Sequence, residues 1–174
     1  MCEDLAEYEF EVLDDQPHKK SYTFCPDTID YVVLFDSTQS TSVTNQLNLD
    51  EVYTISIIRD SKDVSKHDAA RFDKTLIAIF KEFYKHHPNA ILIYHCDYRD
   101  GRQNARHRLF TCKLNKSANE LGISFDKSSQ NISVEFVGDV DINYGYLVKS
   151  DSEKAKEALS EFLNSFDLPA VKHD

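Results

Sequence analysis

The sequence predicts an α+β fold, with a mainly antiparallel sheet of seven to eight strands and three principal helices. Three observations carry that expectation. Apolar residues alternate with period two early in the chain, as in Tyr8, Phe10 and Val12 set between Glu7, Glu9 and Glu11. The period then lengthens to that of a helix over Phe72, Leu76, Ile79, Phe80 and Phe83. Gly and Pro number 4 each in 174 residues, beside 9 Tyr and 11 Phe, which excludes collagen-like, linker-like and disordered chains. One domain spanning residues 1–174 is expected, since a chain of this size buries roughly 70% of its unfolded surface without a disulfide or metal staple.

The elements follow in order. After the strand around Tyr8–Val12, a short strand at Tyr22–Phe24 meets the turn signal Cys25-Pro26-Asp27, where Pro presets φ and Asp bonds nearby backbone. Ile29, Tyr31, Val33 and Phe35 mark a third strand, and Tyr53, Ile55 and Ile57 a fourth. The polar stretch Asp36–Asp50 between them reads as a loop. Ser65 with Asp68 resembles a capping box for a helix over 66–87, which must stop at His86-His87-Pro88. Ala90–Tyr94 is nearly all apolar, as in a strand covered on both faces, so 51–58, 66–87 and 90–97 predict a right-handed crossover within one sheet.

A second helix is expected over Arg99–Lys116 with Asp100 as its N-cap. Strands at Leu121–Phe125, Asn131–Val137 and Ile142–Val148 come next. Ser150 and Glu153 form a capping box for a last helix, with a buried stripe of Ala155, Ala158, Leu159, Phe162, Leu163 and Phe166. Leu168-Pro169 ends it.

Charge narrows the function classes. The net charge of -10 argues against nonspecific binding to nucleic acid or to an anionic membrane. The longest apolar runs, Tyr31–Phe35 and Leu76–Phe80, are far too short to span a bilayer. The acidic N-terminus lacks the basic start and apolar stretch of a signal peptide. Cys2, Cys25, Cys96 and Cys112 are widely spaced, so reduced thiols in a cytoplasmic protein are expected, two or three of them as small apolar fillers.

One segment has chemical character. Arg99–Lys116 holds six bases against one acid, a net +5 that leaves -15 on the rest of the -10 chain. It lies where a strand ends and a helix begins, a place that ligands favour in α/β sheets. The residues singled out for anion or partner binding are Asp97, Arg99, Asp100, Gly101, Arg102, Gln103 and Arg106. At about 100° per residue, Arg102 and Arg106 fall in an apolar arc with Ala105, Leu109, Phe110 and Cys112, while Asn104, His107 and Arg108 face water. An inward arginine keeps its charge and needs carboxylate, carbonyl or anion partners.

Three readings of this segment stand. Arg102 and Arg106 are structural clamps paired with Asp97, Asp100 or acids of neighbouring strands. Alternatively they line an anion pocket with Gln103 and the free amides near Gly101. The third reading is a patch for a partner protein or nucleic acid.

Other chemistries are weaker. His95 and Asp97 share a strand face without a third metal ligand, and Cys96 points away from His95. His86-His87 suits a solvated helix end. Tyr144 and Tyr146 share a face suited to ordinary packing. Gly-rich phosphate loops and the GxSxG, HExxH and CxxC motifs are absent, so neither cofactor nor metal is expected.

The run Cys96-Asp97-Tyr98-Arg99-Asp100-Gly101-Arg102-Gln103-Asn104-Ala105-Arg106-His107-Arg108-Leu109-Phe110 resembles a Bacteroidetes family built on a domain of unknown function. The likeness extends over about Val52–Phe110, and departs at Cys112-Lys113-Leu114, where further aromatics are the family pattern. It implies an intact domain in a bacterial cytoplasm and no particular activity. The favoured function is a non-enzymatic binding or interaction module, in which Glu7–Asp15 and Arg99–Lys116 dock within one molecule or across a homodimer. The alternative is an enzyme or sensor for a phosphate- or carboxylate-bearing small ligand near Asp97, Arg102 and Arg106.

Overall fold

Among the described residues, four strands occupy the first third of the chain: β1 (Phe10–Gln16), β2 (Lys19–Phe24), β3 (Tyr31–Asp36) and β4 (Val52–Arg59). Helix α1 (Ala69–His86) then leads to β5 (Ile91–His95), and helix α2 (Gln103–Leu121) to the hairpin of β6 (Ile123–Val134) and β7 (Gly138–Lys149). Helix α3 (Glu153–Phe166) comes last. The computed structural model describes residues 6–26, 28–37, 51–59, 68–96, 101–134 and 138–166, by backbone alone at 95, 124–134, 138–144, 159 and 161–166.

The strands form a single sheet in the order β1-β2-β3-β4-β5-β7-β6. β4 and β5 are parallel, with Val52–Ile55 beside Ile91–Tyr94. All other neighbours are antiparallel. The class is therefore mixed α+β, and the expected crossover from one strand through a helix to a parallel strand is formed by β4, α1 and β5.

Alternation sets which side chains meet. One face of the sheet presents Tyr22, Phe24, Tyr31, Val33, Phe35, Tyr53, Ile55, Leu92 and Leu147 to Ile79, Phe80 and Phe83 of α1 and to Leu114 and Leu121 of α2. The other face presents Val52, Ile91 and Val148 to Ala155 of α3. Ile91 and Leu92 are thus buried on opposite sides, which explains the unbroken apolar run there. The centre of the larger core is aromatic, with Phe35 stacked on Phe83 at 4.0 Å between ring centroids.

Several local expectations need correction. The α1 cap is Asp68 itself, whose carboxylate accepts from the Arg71 N–H at 2.9 Å. Ser65 lies outside the described residues. The α3 cap is Ser152, whose hydroxyl accepts from the Ala155 N–H at 3.2 Å, while the Ser150 N–H donates to the Gly122 carbonyl. Ser150 therefore ties the hairpin end to the α2 end and leaves capping to the residue just before the helix. Of the expected α3 stripe, Ala155 is buried and Ala158 half-buried, and the side chains of Leu159, Phe162, Leu163 and Phe166 lie outside the described set.

Helix α2 starts later and ends later than expected. It runs to Leu121 and stops at Gly122, whose φ of 61° is the left-handed conformation that glycine adopts without a Cβ penalty. The strands expected at Leu121–Phe125 and Asn131–Val137 are joined as β6, because backbone pairing with β7 continues through Asp126–Gln130. A hydrogen-bond ladder does not require apolar side chains.

Candidate functional site

Helices α1 and α2 both pack on the larger core, and two ion pairs join them in step. Lys113 bonds Asp73, and Lys81 bonds Glu120 at 3.0 Å. Because both partners advance along the chain together, the helices run parallel. Between them opens a cleft of about 810 Å³. It lies at the carboxyl ends of the parallel strands β4 and β5, where α/β sheets commonly hold ligands.

The lining is mostly apolar. Ile55 and Ile57 of β4, with Tyr94 and Cys96 of the β5 segment, form one side. Phe72, Leu76, Ile77 and Phe80 of α1 face Leu109, Phe110 and Leu114 of α2. Among the described residues, the charged lining groups are Asp73, Arg106 and Lys113. The Lys113 ammonium also lies 6.0 Å from the centroid of the Phe72 ring, within reach of a cation–π attraction.

Two groups in the lining could carry chemistry, and burial holds both protonated. Burial pushes the Cys96 thiol up, partly offset by the nearby Arg106 charge. Burial likewise raises the Tyr94 hydroxyl, which lies 3.4 Å from Nδ1 of His107. The Tyr94 ring packs on Phe110 at 4.3 Å. It also covers Gly145 of β7, the residue registered opposite it.

The residues singled out from sequence are only partly gathered here. Asp97, Arg99 and Asp100 lie outside the described residues. Gly101 has a φ of 69°, so this junction does use a conformation that favours glycine. The N-cap of α2 is Arg102, in place of the expected Asp100, and the Arg102 side chain makes no capping hydrogen bond. Gln103 is half-buried, with Oε1 buried and without a hydrogen-bond partner. Of the described members of the set, Arg106 alone lines the cleft.

The expected inward placement of the arginines is wrong. Arg102 and Arg106 are both exposed, as are Ala105 and Cys112, and Leu109 is 60% exposed. The buried and half-buried residues of α2 are Gln103, His107, Phe110, Thr111, Lys113, Leu114, Ser117, Ala118 and Leu121. His107 thus belongs to the inner side and not to the wet face. The lining residues Phe72, Leu76 and Phe110 escaped notice as a site because each also reads as ordinary helix packing. Lys113 stood in the basic segment, and nothing local pointed to its partner Asp73.

The remaining expectations divide similarly. Cys25 and Cys112 are exposed, so Cys96 is the buried thiol among the described residues. His86 is exposed and bonds Glu82 at 3.3 Å, whereas His87 is half-buried and stacks on Phe83. Tyr146 is 5% exposed and packs within the sheet, while the side chain of Tyr144 is not described. Asp14 and Asp15 pair with Lys19 and Lys20, and among the described residues no ion pair links Glu7–Asp15 to Arg102–Lys116. No described helix is long and apolar enough to cross a membrane.

Comparison with known families matches residues 67–164, more than half of the chain, to the model of a family of unknown function. No curated protein and no solved structure matches.

Proposed function

The chain belongs to that family, DUF6169, and we propose from the site itself that it is a binding module holding a small ligand between α1 and α2. The observation that carries this reading is the cleft of about 810 Å³, apolar over most of its lining, at the carboxyl ends of the only parallel strand pair in the described sheet. Ligand sites of this size are typically apolar with a few placed polar groups. The raised Cys96 and Tyr94 support binding over catalysis, since neither is poised as a nucleophile or base near neutral pH.

Nile red, a neutral apolar dye, tests the cleft directly. Its fluorescence rises with the native chain, and Leu76→Trp/Ser117→Phe, which fills the cleft from both helices, removes the rise while the circular dichroism melt persists. An equal rise with the filled variant overturns the reading.

The module acts as one 174-residue unit, in the cytoplasm of a bacterium. The resemblance of Cys96–Phe110 to a Bacteroidetes family and the exposed, reduced thiols of Cys25 and Cys112 support this setting. The exposed acids Glu9 and Glu11 and the exposed bases Arg102, Arg106 and Arg108 also suit contact between copies or with a partner protein.

A further inference from the structure

We propose that the ligand is an anionic amphiphile, whose chain lies in the apolar cleft and whose headgroup replaces Asp73 on Lys113. This inference rests on the cleft reading above and names its ligand class. A carboxylate already occupies the place in question. Asp73 reaches from α1 to the Lys113 ammonium on α2, and both residues line the cleft. The two side chains keep about a third of their surface exposed, 32% for Lys113 and 36% for Asp73, so the pair is open to exchange.

The energetics favour exchange. A partly exposed ion pair is worth up to about 1 kcal/mol, so a competing anion need not overcome a large barrier in affinity. When a headgroup takes Lys113, Asp73 turns to water at the rim, and Lys113 keeps its contact with the Phe72 ring. The chain of the ligand then extends over Leu76, Phe80, Phe110 and Leu114, where each further buried CH₂ tightens binding about fourfold. Arg106 is a further lining residue and stays charged whatever else it bonds, so the charged groups among the described lining residues sum to +1. The intramolecular carboxylate thus acts as a resident competitor that sets a threshold for the ligand.

Titration calorimetry with dodecanoate, dodecanol and inorganic phosphate, all below micelle-forming concentrations, tests this. Dodecanoate binds the native chain about tenfold more tightly than dodecanol, as a charge-assisted contact requires, and phosphate alone does not bind. Asp73→Asn tightens dodecanoate up to about fivefold and leaves dodecanol unchanged. Lys113→Gln brings dodecanoate to the level of dodecanol, and Lys113→Arg, which keeps the charge and a normal melt, retains the preference. Equal binding of acid and alcohol by the native chain overturns the ligand class while leaving the cleft intact. Binding of phosphate alone, or an acid preference that survives Lys113→Gln, overturns the headgroup assignment. If neither acid nor alcohol binds, the cleft reading falls with it.

Discussion

Gly145 lies opposite Tyr94 in the antiparallel pairing of β7 with β5, and the tyrosine ring occupies the space a side chain would need. A Cβ built on Gly145 would stand 2.4 Å from Cε1 of that ring. Glycine costs a strand some stability, and here it is the condition for seating an aromatic at the cleft. Gly145→Ala should therefore destabilise the chain by about 1–3 kcal/mol through overpacking. Adding Tyr94→Leu should recover part of that loss in chemical denaturation. If the double variant is no more stable than Gly145→Ala alone, the ring is not the obstacle.

Capping separates Asp68 from the neighbours that resemble it. Its carboxylate takes the Arg71 N–H, which has no acceptor within the helix. Asp68→Ala should cost about 1 kcal/mol, and Asp68→Ser only a few tenths. The same comparison at the last helix should find a loss for Ser152→Ala and almost none for Ser150→Ala, whose side chain is not the cap. Urea midpoints at constant m-value decide both cases.

Phe83 is the residue on which the aromatic core depends most. It is fully buried, stacked on Phe35, edge-on to Tyr53, and stacked on His87. Phe83→Ala should cost about 3–5 kcal/mol. Phe83→Leu, which keeps much of the volume, should cost clearly less. Equal losses from the two substitutions would show that volume is not what the site requires.

His87 ties stability to pH. Its ring is half-buried, with Nδ1 3.3 Å from the Tyr53 hydroxyl. Burial holds its pKa below the ordinary 6.5, and the pull of Glu51 in the opposite sense does not cancel this. The unfolded chain takes up this proton near 6.5, while the folded chain resists until lower pH. Within that window the unfolded state binds more protons, so this contribution to stability is complete above 6.5 and is lost as pH falls through the folded value. The Tm of the native chain should drop more between pH 7.5 and 5.5 than that of His87→Phe. Parallel slopes would remove His87 as the cause.

β2, β3 and α1 were legible because each buries one face and burial writes its period into the sequence, and β5 because burial on both faces leaves an unbroken apolar run. β1 was not: it runs Phe10–Gln16 instead of Tyr8–Val12, and Val12 is 53% exposed. Helix α2 was misread for an identifiable reason. Its early residues Ala105, Leu109 and Cys112 pull the expected arc to one side of Phe110, whereas His107, Leu114 and Leu121 place the buried side on the other. Ending the helix at Lys116 left out Leu121, the residue that fixes the phase. The polar run Asp126–Gln130 hid the continuity of β6 in the same way, because ladder hydrogen bonds leave no mark on side-chain hydropathy. The cleft was illegible for a different reason. Asp73 and Lys113 meet only through the packing of two helices on one sheet. The basic segment lies on the helix that lines one side of the cleft, and Arg106 is among the lining residues.

The placement of β7 has a consequence for synthesis. It is the last strand in the chain, yet it sits between β5 and β6, and its residues Tyr144–Leu147 pair with Leu92–His95. The strands β1 to β4 can pair with their neighbours in order as they leave the ribosome, since each lies beside its predecessor. β5 gains its second neighbour only after Leu147 has been made. Tyr94 rests on Gly145, so the floor of the cleft is completed when the final strand enters an already spoken-for sheet. A nascent chain stopped before that point carries both helices but no finished place between them.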